Sequence, residues 1–90
     1  MRTEEEEREL REAAEQGRRY GIAADVLKNF LDGRREEIVQ ALETGNYEND
    51  GQLINMLVEL GVIKRFKDLC RMHKDLGEIA EKELSKRDGD

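Results

Sequence analysis

Proline is absent from this 90-residue chain, and so is tryptophan. Without proline, no helix is broken for want of an amide hydrogen. Breaks must come from glycine or from loop sequence. A single cysteine excludes an internal disulfide. A single histidine leaves any metal site short of imidazoles. No apolar run exceeds three residues, as in Met56-Leu57-Val58. That is too short for a membrane span or a signal-peptide core. No stretch alternates apolar and polar residues over the length of a strand, and no hairpin dipeptide joins β-branched runs. These absences point to an all-α chain in the cytoplasm, or to a recombinant protein that is soluble where it is made, with no membrane partner.

Charge is what the chain has in abundance. Charged residues make up 42% of it and hydrophobic residues 37%, with a formal net charge of −6. A net acidic surface makes nucleic acid and anionic membranes poor general partners. The signs are unevenly placed. Seven glutamates crowd residues 1–15 against Arg2, Arg8 and Arg11. In residues 64–74 the balance reverses, with Lys64, Arg65, Lys67, Arg71 and Lys74 against Asp68.

Eight glycines lie between or beside the apolar clusters, which is how helix ends are commonly marked. Thr3 and Glu6 form a capping box, so the first helix starts there. Its apolar stripe is thin: Leu10, Ala13, Ala14 and Tyr20. A second helix runs from about Ile22 to Asp32 and stops at Gly33. A third runs from Arg34 to about Thr44 and stops at Gly45. Asn49 or Asp50 caps a fourth. This one carries Leu53, Ile54, Met56, Leu57, Val58 and Leu60 around most of its circumference, which places it at the centre of the core. Gly61 closes it. The last helix carries Ile63, Phe66, Leu69, Cys70, His73, Leu76, Ala80 and Leu84 in register through Gly77. The expectation is a single helical domain over residues 1–90. Its architecture is a compact bundle of about five helices, long–short–short–short–long, with residues 1–9 and 87–90 frayed.

No catalytic constellation emerges. Ser85, the only serine, stands near the C-terminus with no histidine beside it. No glycine-rich loop is placed to cradle a phosphate. Cys70 and His73 share a helical face, but two more ligands would be needed for zinc, and Asp68 and Asp75 point elsewhere on the wheel. Residues 46–57 have a calcium-loop spacing at Asn46, Glu48 and Asp50, yet Leu57 stands where the bidentate glutamate belongs. No cofactor and no metal is expected.

Two resemblances bear on partners. Leu60-Gly61-Val62 before a basic helix resembles the turn of a helix-turn-helix DNA reader, which would engage phosphates through Lys64, Arg65, Lys67, Arg71 and Lys74. In that frame Leu57 replaces the usual small residue, and Lys67 replaces a buried aliphatic. Residues 52–70 resemble the junction between the second and third helices of an armadillo-type repeat. That likeness implies a protein-binding scaffold, although only about one repeat is present and solenoids need at least three. The capping box, the glycine placement and the richness in Glu, Lys and Arg are mutually consistent. The leading expectation is therefore a structural or engineered helical protein, possible as a de novo design, without enzymatic activity. The alternatives are a protein-interaction module of helical-repeat type, which could also self-associate, and nucleic-acid binding through residues 64–74.

Overall fold

The computed structural model describes residues 2–86 and contains two long helices, α1 (Glu4–Thr44) and α2 (Asp50–Ser85). They run antiparallel as a hairpin measuring 63 × 21 × 15 Å. The chain is all-helical, but the compact five-helix bundle expected from the glycine spacing does not form. The fraying expected at 87–90, and at Met1, lies outside the described residues.

The correction has a clear cause. Among the described glycines only Gly45 has a positive φ, at 67°. There the αL conformation turns the chain, and the Asn46 amide bonds back to the Ala41 carbonyl at 2.8 Å. This closes α1 with a Schellman motif. Gly33 and Gly61 lie inside unbroken helices instead. A glycine costs a helix about 1 kcal/mol relative to alanine, which is less than a break would forfeit when no proline or competing cap enforces one. Gly17 and Gly77 are likewise passed without a break.

Both helix starts follow the sequence. Thr3 and Glu6 form the complete capping box, and Asn49 caps α2 by accepting from the Gln52 amide at 2.9 Å. Gln52 reciprocates by accepting from the Glu48 amide at 2.6 Å.

The core is the seam between the helices. It buries Ala14, Ile38, Ile63, Cys70 and Ala80, along with Gly17 and Gly77. The segment expected to be central is not central. Leu57 is 52% exposed, and Ile54 and Val58 are exposed as well. Wide apolar coverage of this stretch does not mean burial on every side.

Candidate interaction surface

The seam fixes which side chains share each flank. Residues three and four apart lie on one face of a helix. Tyr20, Ala23, Leu27, Phe30 and Arg34 therefore follow one flank of α1. On α2, Glu59, Val62, Phe66, Leu69, His73 and Leu76 follow another. Two contacts tie these flanks to the same side of the hairpin. The Tyr20 and His73 rings stack with centroids 4.2 Å apart and an interplanar angle of 13°. Arg34 pairs with Glu59 and also with Glu37.

The opposite flank is charged. Arg18 pairs with Glu81 at 2.8 Å, and Lys67 pairs with Asp32. Seven residues along each helix, between these two pairs, Asp25 and Lys74 line one open groove. Arg18, Asp25 and Asp32 thus face Glu81, Lys74 and Lys67 at heptad intervals, a charge ladder suited to fixing the antiparallel register. The ion pairs hold the carboxyls low. The Lys67 ammonium holds Asp32 below the usual carboxylate range, Arg18 and Arg19 do so for Glu15, and Lys64 does so for Asp68.

The apolar flank has no comparable compensation. Phe30 is 70% exposed, and Leu27, Val62 and Leu76 are exposed beside it. Val26 of α1 and Val58, Met72 and Ile79 of α2 are exposed on the outer surface, while Ile22, also exposed, lines the charged groove with Asp25 and Lys74. Along α2 the positions Val58, Val62, Arg65, Leu69, Met72, Leu76 and Ile79 step by four and three throughout. This is a second heptad stripe, distinct from the one that meets α1 at Ile63, Cys70 and Gly77.

Of the five basic residues singled out from the sequence, Lys64, Lys67, Arg71 and Lys74 step by three, four and three along the charged flank, and Arg65 stands apart. Lys64 is engaged by Asp68 at 2.9 Å, and Lys67 by Asp32. Arg71 and Lys74 are exposed towards the charged flank, while Arg65 stands on the outer surface among the second stripe's residues. Gly61 lies within α2, so the turn that a helix-turn-helix needs, and the corner of an armadillo-type repeat, are both absent there. Cys70 is buried in the seam, and burial pushes its thiol up, away from the reactive thiolate. His73 is occupied by Tyr20. Among the described residues, no three His, Cys, Asp or Glu side chains gather as a metal site. No helix among them is long and apolar enough to cross a membrane. The concave places are open grooves with charged walls.

The exposed stripe was the feature missed in the sequence. Its signal was present as the four-three spacing from Val58 to Ile79, but the assumed stop at Gly61 cut that stripe in two. Comparison with protein-family models, with curated proteins and with solved structures finds no match.

Proposed function

We propose that the chain works as a protein-interaction module, a helical hairpin whose working surface is its apolar flank, with no catalysis of its own. One observation carries this reading. A chain that is 42% charged leaves Val26 72% and Phe30 70% exposed, and Leu27, Val62, Met72 and Leu76 are exposed as well. Scattered apolar residues are ordinary on a surface, but a contiguous patch rimmed by polar groups marks a docking site. Phe and Met are also residue types that interfaces favour. Against the nucleic-acid alternative stand the net charge of −6 and the engagement of Lys64 and Lys67 by carboxylates. A phosphate track needs free cations along one face.

The test is a photo-reactive residue, Phe30→p-benzoylphenylalanine, irradiated in the cells that make the chain. A discrete protein adduct is expected from position 30. The same probe at Glu78, on the charged flank, should give none. Absence of any adduct at position 30, with the chain folded, would overturn the reading.

A further inference from the structure

We infer that the occupant of the apolar flank is a second copy of this chain, so that two hairpins close face to face into a four-helix bundle. The inference rests on the interaction-module reading and names its partner.

The first argument is size. The radius of gyration is 19.2 Å, whereas a compact domain of this length has about 12 Å. The accessible surface is 7196 Å². A folded monomer of this mass exposes about 5,400 Å². The excess, about 1,800 Å² by the same scaling, is roughly twice the ~800 Å² that each partner buries in a stable interface of standard size. One hairpin therefore carries enough uncovered surface for a dimer with margin to spare.

The second argument is pattern. A helix in a four-helix bundle meets two neighbours, and so needs two apolar stripes at heptad spacing. A helix in an isolated hairpin needs one. Helix α2 has two, meeting α1 along Ile63, Cys70 and Gly77 and running outward along Val58, Val62, Leu69, Met72, Leu76 and Ile79, interrupted once by Arg65. Helix α1 carries Leu27 and Phe30 towards the apolar flank, while its buried residues Ala14, Gly17 and Ile38 meet α2.

The third argument is symmetry. The apolar part of the flank lies near the middle of the hairpin. Tyr20–Phe30 sits beside Val62–Leu76, and polar residues follow at both ends: Gln16 and Glu83 towards the free ends, Arg34, Glu37 and Glu59 towards the turn. A patch that is apolar at its centre and polar at both ends can be laid on itself by a two-fold axis. The flank positions Tyr20, Ala23, Leu27 and Phe30, with Val62, Phe66, Leu69 and Leu76, are uncharged, and Arg65 is the one charged residue on the α2 stripe among them. The seam alone buries five apolar side chains, of which only Ile38 and Ile63 are large. A chain with so little core needs its cover from the moment it is made, and a second copy is then at hand.

The experiment is sedimentation equilibrium on the full chain, from low micromolar to several hundred micromolar, with helicity followed in parallel by circular dichroism. The expected mass is twice 10.5 kDa. Mass and helicity should fall together on dilution. Added salt should strengthen the dimer, because it screens repulsion between two chains of net charge −6. Phe30→Glu should lower the dimer's affinity at least a hundredfold, while Glu78→Gln leaves it unchanged. If Phe30→Glu unfolds the chain, the wild-type dilution series still decides. A fully helical 10.5 kDa species at several hundred micromolar overturns the inference. So does a dimer insensitive to Phe30→Glu. In the first case, an adduct between position 30 and a different protein leaves the interaction-module reading standing, whereas no adduct removes both.

Discussion

The two ends of the hairpin hold their helices together by opposite means. Near the free ends, small residues let the backbones touch. A β-carbon added to Gly17 would lie 2.7 Å from the Gly77 Cα, and one added to Gly77 would meet Gly17 at the same distance. Ala14 and Ala80 are buried nearby. Towards the turn, Ile38 and Ile63 fill the seam at 1% and 5% exposure. One end gains close approach and dispersion contacts along the backbone. The other gains apolar area removed from water. Substitutions that enlarge a side chain should therefore harm the free end, and substitutions that shrink one should harm the turn end.

The largest effect is expected at the turn end. Ile38→Ala should cost about 2–5 kcal/mol, the loss typical of a fully buried aliphatic side chain. Leu57→Ala, half exposed on the same half of the hairpin, should cost under about 1 kcal/mol, as surface substitutions usually do. Urea titrations at one protein concentration would compare them. Equal losses would mean that burial along this seam does not decide stability.

At the free end the sign reverses. Gly77→Ala improves helix propensity by about 1 kcal/mol, yet its β-carbon cannot fit against Gly17 backbone. Overpacking of this kind costs about 1–3 kcal/mol, so a net loss is expected. Adding Gly17→Ala should cost much less than the first change did, because the helices have already parted. Additive losses would show that the two glycines do not share one contact.

Between the two ends, Gly33 and Gly61 meet open space where a β-carbon would stand. Gly33→Ala and Gly61→Ala should each stabilise by about 0.5–1 kcal/mol through propensity and unfolded-state entropy. A loss at either position would place something against it that the hairpin alone does not, and would itself bear on how a second copy packs.

These glycines also explain what the sequence could and could not convey. The capping box at Thr3, the cap at Asn49 and the stop at Gly45 were legible because caps are local: a few neighbouring residues determine them. Gly33 and Gly61 were misread as stops because identity alone does not distinguish a glycine in αL from one in a helix. At Gly33 and Gly61 nothing lies within 4 Å of where a β-carbon would stand, and the helix runs on because no proline or competing cap stops it, whereas Gly17 meets a residue 60 positions away. Cys70 and His73 were placed on one face from their spacing, but the Tyr20 ring that occupies His73 comes from the other helix. The apolar flank stayed hidden for the same reason. Its two halves lie on different helices, and only the antiparallel pairing sets Phe30 beside Val62–Leu76.

The smallest effect is expected on the charged flank, and its sign follows from the ion pairs. Asp32, Glu15 and Asp68 are each held below the usual carboxylate range by neighbouring cations. A carboxyl depressed in the folded state adds stability above its unfolded value, and that stability is lost as pH falls through the folded value. Unfolded carboxyls titrate near about 4. The melting temperature should therefore stay flat from neutral pH down to about 5 and decline only below about 4. These pairs are exposed, so salt should shrink the decline and Asp32→Asn should leave stability almost unchanged at neutral pH. A steep loss between pH 7 and 6 would contradict this account.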